Sequence, residues 1–108
     1  MNTLPSEMTE MQREGRSDFC RLQLSGDGGS MLLLGYRETL TAAEYAIIKA
    51  LLEADTPIHK SLISEITRIN EKSVPVHISN INKKALPITG RKLIEGNRRG
   101  EYGISEHI

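Results

Sequence analysis

The stretch Leu40-Thr41-Ala42-Ala43-Glu44-Tyr45 leaves the chain the least freedom. Thr41 followed three residues later by Glu44 is a capping box. The hydroxyl accepts from the third helical N–H, while the carboxylate reaches back to the cap N–H. Leu40 and Tyr45 stand at the two positions of a hydrophobic staple, which sets the angle at which the chain enters the helix. A helix therefore starts at this point. Ile47, Ile48, Leu51 and Leu52 carry it on, and Asp55-Thr56-Pro57 stops it.

Around this anchor the remaining elements fall into order. Residues 1–17 are polar and read as a frayed tail or a short, weakly docked helix, so the folded unit is expected over 19–108 behind a flexible tail, 1–18. Cys20, Leu22 and Leu24 alternate with polar residues, the pattern of a half-buried strand. Gly26-Asp27-Gly28-Gly29 makes a turn, and Met31–Leu34 reads as the returning strand, giving a hairpin over 19–34. These glycines are not a phosphate loop, because no Lys-Ser/Thr and helix follow them. A second helix carries Leu62, Ile63, Ile66 and Ile69 as one apolar face, with His59 at its cap position. Asn70–Ser73 is a tight connection. A third helix is expected from Val74 to Leu86, with Pro75 in its first turn and Pro87 ending it. Val74, Ile78, Ile81 and Ala85 share its inner face. The outer face holds Lys72, Val76, Ser79, Asn80 and Lys83, flanked by His77 and Lys84, with no acidic residue. Finally, two short strands flank the turn Gly96-Asn97-Arg98-Arg99-Gly100.

Composition narrows the function. A chain of 108 residues and 12.0 kDa, 38% hydrophobic and 26% charged, is one soluble domain. With 4% aromatic residues and no Trp, it lacks the material of a carbohydrate platform. No apolar run approaches the ~20 residues of a membrane span, and no secretory signal is visible. The lone Cys20 forms no internal disulfide and excludes a cysteine-cluster zinc site; it fits the reducing cytoplasm. His59, His77 and His107 lack metal-ligand spacing, and no nucleophile motif occurs, so neither cofactor, metal nor enzymatic activity is expected. The net charge is zero but unevenly spread. Residues 1–57 contain five Lys/Arg and nine Asp/Glu, whereas 58–108 contain nine and five. The basic half points to an anionic partner.

Strands, three helices and a basic-tipped hairpin have the layout of an α+β winged helix-turn-helix. Leu40-Thr41-x-x-Glu44-Tyr45-x-Ile47-Ile48-x-x-Leu51-Leu52 resembles the first-helix signature of OmpR/PhoB-type effector domains, the DNA-binding halves of many bacterial response regulators. Val74-x-Val76-His77-Ile78-Ser79-x-Ile81-x-Lys83-Lys84 is similar to their recognition helix, and Ile94–Tyr102 matches their wing in length. The likeness spans about residues 19–105. It departs at Pro75, where the family usually has Asp, and at Asn80 and Asn82, where arginines are usual. In the wing, Arg99-Gly100-Glu101-Tyr102 replaces Gly-x-Gly-Tyr. The resemblance implies sequence-specific binding of double-stranded DNA by a small transcription regulator. With 18 residues before the first expected strand, phosphorylation of a receiver domain is not expected as its input. The resemblance also implies a homodimer or tandem assembly on DNA. RNA polymerase is a further implied partner, through a connection between the second and third helices that is short here.

Major-groove geometry assigns roles to the outer residues. Asn80 suits adenine and Val76 a thymine methyl, with Ser79 beside them. Lys72, Ser73, Lys83 and Lys84 suit phosphates, which position without reading sequence. His77 either flanks DNA or packs against a neighbouring element. By resemblance Arg98 enters a minor groove, with Arg99 next to it. Taken singly, Ser79 and Asn80 read first as ordinary helix surface and Arg98-Arg99 as a solubilising hairpin tip; taken together on this layout, they favour DNA. The competing function is a winged-helix protein-interaction module that has lost DNA binding. Asn80, Asn82 and the zero net charge favour that alternative, while the basic helix face and wing favour DNA.

Overall fold

The computed structural model describes residues 21–106; the expected tail, Cys20 and His107 lie outside them. An N-terminal antiparallel sheet is built from β1 (Leu22–Leu24), β2 (Ser30–Leu33) and β3 (Tyr36–Thr39), in that order. Leu24 faces Met31, and Leu33 faces both Leu22 and Tyr36. Met31 and Leu33 are fully buried while Leu32 between them is exposed, the period-two pattern of a sheet with one wet face. The strand β3 extends the expected hairpin to three strands, and β2 stops one residue earlier than its apolar run. Leu34 and Gly35, with φ of 50° and 87°, form a two-residue turn. A leucine at positive φ is not a usual turn signal, which is why the run reads as continuous strand.

Helix α1 spans Ala42–Ala54 and opens with the expected capping box. Thr41 Oγ1 accepts from the Glu44 N–H at 3.1 Å, and the Thr41 N–H donates to Glu44 Oε1 at 2.9 Å. The Tyr45 hydroxyl reaches past the staple and donates to the Ser25 carbonyl in the glycine-rich turn. Asp55, at φ 60°, ends the helix in the left-handed conformation. Next comes a two-residue strand, β4 (Ile58–His59), too short to show periodicity, and then α2 (Lys60–Thr67). His59 caps α2 as expected, its Nδ1 accepting from the Ser61 N–H at 3.1 Å.

The expected apolar face of α2 is only partly buried. Ile63 is enclosed, but Leu62 is 42% exposed and Ile66 53%. The helix has barely two turns and wedges a single strip against its neighbours, and Leu62 and Ile66 fall to one side of that strip. A single 3-10 turn, Glu71–Ser73, capped by the Asn70 side chain, leads into α3 (Val74–Thr89). Val74, Ile78, Ile81 and Ala85 are all buried, as their spacing predicts. The helix does not end at Pro87. The proline leaves the Lys83 carbonyl without its helical donor and crowds it, yet the chain winds on until Gly90, at φ 77°, turns left-handed with its N–H on the Leu86 carbonyl at 2.8 Å. The chain closes with β5 (Ile94–Gly96) and β6 (Glu101–Ile104); β6 lies between β4 and β5 in a second antiparallel sheet.

One polar contact joins these layers. Glu44, 2% exposed, receives Lys84 Nζ of α3 on Oε1 at 2.7 Å, and the same ammonium donates to the Thr39 carbonyl at 2.9 Å. Burial, the largest influence, pushes the Glu44 carboxyl up. The Lys84 ammonium and the Thr41 N–H together outweigh it, so the pKa lies below the ordinary glutamate value. The resulting stabilisation is complete above the unfolded pKa of about 4.3 and is lost as pH falls through the folded value. Glu44→Gln should therefore lose about 1–3 kcal/mol in urea unfolding at pH 7. Its gap to the parent should narrow at pH 3; a gap independent of pH would remove the charge from this account. Ile78→Ala and Ile81→Ala should each cost about 2–5 kcal/mol in the same measurement.

Candidate nucleic-acid interface

The core sets the roll of α3. With Ile78 and Ile81 buried on one side, the other side presents Val76, Ser79, Asn80 and Lys83 to solvent. Val76 is 59% exposed, an apolar side chain with no packing duty. Lys72 is exposed in the turn before the helix; Ser73 is half-buried at the helix start and makes no capping hydrogen bond. His77 is half-buried and lies beside this strip rather than on it. Lys84 is drawn away altogether, its ammonium held by Glu44 and Thr39 at the start of α1. The basic flank expected from the sequence thus divides: Lys83 faces outward, and Lys84 ties α3 to the body.

The β5–β6 hairpin stands next to α3 and is fastened to it by Asn82. Asn82 Nδ2 donates to the Ile94 carbonyl at 3.0 Å, and the Ile94 N–H donates to Asn82 Oδ1 at 2.8 Å. A single carboxamide thereby pairs with both polar groups of one strand residue, as a neighbouring strand would. Sequence reasoning gave Asn82 no part in this. Between α3 and the hairpin lies an open cleft of about 610 Å³, lined among others by Pro75, Ser79, Lys83, Lys92, Asn97 and Tyr102. The cleft brings Ser79 and Lys83 of the expected set to the hairpin, and adds Lys92, an exposed cation that the sequence did not single out.

The hairpin tip is built by Asn97. Its Oδ1 accepts from the N–H groups of Arg99 at 2.9 Å and Glu101 at 3.1 Å, and its Nδ2 donates to Glu101 Oε1 at 2.8 Å. The side chain fills the turn with backbone bonds and leaves Arg98 and Arg99 exposed at the apex. Gly100 completes the turn at φ 79°, and a β-carbon there would come within 3.1 Å of His59 Nε2. The Lys60 N–H also donates to the Gly100 carbonyl at 3.0 Å, so the tip is rooted on the residues that start α2. At Gly96 a β-carbon would fall 2.8 Å from the Tyr102 ring, which lies over the opposite strand. Among the described residues no group of three or more His, Cys, Asp or Glu side chains is placed to hold a metal ion. No helix among them is long and apolar enough to cross a membrane.

No family model matches this chain, and no curated protein matches it either. Solved structures do. The C-terminal domain of the nisin resistance regulator NsrR, a lantibiotic response regulator, superposes with a TM-score of 0.68 at 20% identity, over 81% of this chain and 93% of that one. The DNA-binding domain of the response regulator AdeR, in complex with an intercistronic region, gives 0.69 at 17% identity over 82% and 98%. A streptococcal redox sensor of a family evolved from two-component response regulators gives 0.69 at 18% identity, over 91% of this chain and 44% of that one. The chain therefore shares the fold of these response-regulator domains, the expected α+β winged-helix arrangement of N-terminal strands, three helices and a C-terminal hairpin.

The Asn82 bridge has a direct test. Asn82→Ala should cost about 1–3 kcal/mol, because it strands the Ile94 N–H and C=O against the helix. Amide hydrogen exchange at Ile94 should quicken while Ile78 and Ile81 remain protected. Equal protection of Ile94 in both proteins would show that the hairpin is held by other contacts.

Proposed function

We propose that this chain binds double-stranded DNA sequence-specifically and acts as a small transcription regulator. The observation that carries this reading is the outer strip of α3. Val76, Ser79, Asn80 and Lys83 are exposed, and no acidic side chain lies among them. An arginine-tipped hairpin stands alongside, on a fold shared with a domain solved on DNA. A helix of this diameter fits the major groove, where Val76, Ser79 and Asn80 meet base edges. Lys72, Ser73, Lys83 and the exposed Lys92 lie toward the phosphates, and Arg98 and Arg99 reach the adjacent minor groove. Lys84 takes no direct part in this reading and acts by holding α3 in place; His77 sits at its margin.

A single module of this kind reads one half-site, so two copies in tandem on a repeated site would supply the affinity of a regulator. The acidic residues of 1–57 and the basic ones of 58–108 suit head-to-tail pairing on direct repeats. The setting of such a regulator is the bacterial cytoplasm. The second reading, docking on a protein partner such as RNA polymerase, is favoured by Leu62 and Ile66, an exposed apolar pair on α2.

The salt dependence of duplex binding separates the two. If Lys72, Lys83 and Arg98 each neutralise one phosphate, each alanine variant should flatten the slope of log K against log salt by about 0.9. Absence of duplex binding at low salt, or slopes unchanged in all three variants, would favour the protein-docking reading.

A further inference from the structure

We propose that Asn80 reads an adenine in the major groove, and that Val76, one turn before it, packs on the methyl of a neighbouring thymine. The half-site is thereby A·T-rich under the middle of α3. This inference rests on the DNA-binding reading above and goes beyond it by assigning the base.

Helix α3 carries two asparagines two positions apart, and the structure gives them opposite employment. The Asn82 carboxamide is occupied on both sides by the Ile94 backbone. The Asn80 side chain is exposed and takes part in none of the side-chain hydrogen bonds found among the described residues. Its direction is not arbitrary, because Ile78 and Ile81 on either side of it are locked in the core and fix the roll of the helix. A free carboxamide offers an acceptor and a donor from one planar group. Adenine offers the complement, the N6 amino donor and the N7 acceptor. Guanine presents two acceptors, O6 and N7, and would set one of them against the Asn80 carbonyl.

The neighbours of Asn80 support the same base. Its side chain is short, so reading a base edge requires close approach of the helix. Val76 and Ser79, on the same exposed strip, are small enough to permit this. Val76 has no polar atom to satisfy, and an apolar contact in the major groove is available only at the thymine methyl. No arginine stands on α3, so the bidentate guanine reader is missing from the helix itself. Lys83 and Lys84 are its two cations. Lys84 is held by Glu44 and Thr39, and Lys83 lines the cleft toward the hairpin, a position suited to a phosphate.

The test is selection of randomised duplexes by the parent chain, Asn80→Ala and Asn80→Arg, followed by affinity measurements on the selected site. Asn80 is exposed, so both variants should unfold at the parent's urea midpoint. The parent should select an adenine at one position and lose about 5- to 150-fold in affinity when that pair becomes G·C. Asn80→Ala should flatten that position alone, with the salt slope unchanged, and Asn80→Arg should move it toward guanine. Replacing the neighbouring thymine by deoxyuridine removes only the methyl and should weaken the parent by about 4-fold. If all three proteins bind DNA and their selected sites coincide, Asn80 reads no base and the inference is overturned while DNA binding stands. If the parent enriches no sequence and binds no duplex, the inference falls together with the DNA-binding reading.

Discussion

The carboxylate of Glu44 is the contact on which the rest of the arrangement depends. It closes the capping box that starts α1, and it holds the Lys84 ammonium that fixes α3. Through that ammonium it also touches the end of the N-terminal sheet at Thr39. The end of β3 and the start of α1, neighbours in sequence, thus meet the distant α3 at one buried group. A buried carboxylate is costly unless it is paired and hydrogen-bonded. Here it has a cation, a backbone donor and a defined cap geometry, and its depressed pKa reflects that satisfaction. The apolar core supplies most of the stabilisation in a domain of this size, but apolar contacts are not directional. The Glu44–Lys84 bond supplies direction, because it is made only when α3 lies in one rotational setting against α1.

The candidate interface follows from that setting. Once Val74, Ile78, Ile81 and Ala85 face inward, the outward strip is determined residue by residue. Asn82 then converts the position of the helix into the position of the hairpin, since its carboxamide substitutes for a strand neighbour at Ile94. The tip is fixed from two directions, by the Asn97 side chain within the turn and by Lys60 at the base of α2. Helix and hairpin form a two-pronged surface with limited freedom between the prongs. Preorganisation of that kind would lower the ordering cost of the proposed duplex binding.

Much of this was legible in the sequence where the signal is local. The capping box, the staple, the inner face of α3, the hairpin turn and the His59 cap all depend on residues within one or two turns of each other. Likeness to response-regulator domains then arranged these pieces into a fold. The elements that were not legible have identifiable causes. Strand β3 follows a turn with leucine at positive φ, and β4 is two residues long and overlaps a helix cap. Pro87 reads as a stop, but the helix runs through it for one more turn, and the left-handed Gly90 is the true terminus. In α2 the apolar spacing was right for a helix but too generous about burial, because two turns wedged between neighbours cover only Ile63. The least legible distinctions concern like residues in one helix. Lys83 and Lys84, and Asn80 and Asn82, differ only in which way the helix turns them. The partners of Lys84 lie 40 and 45 residues away, and those of Asn82 lie 12 away.

The central claim is that one surface, the outer strip of α3 with the hairpin tip, receives duplex DNA. Backbone amide shifts of the labelled chain, followed during titration with the selected duplex, test it most directly. The account predicts that the largest changes map to residues 72–83 and 97–99, with Leu62, Ile66 and the N-terminal sheet nearly unmoved. Changes centred on α2 at Leu62 and Ile66, or spread evenly without saturation, would contradict it.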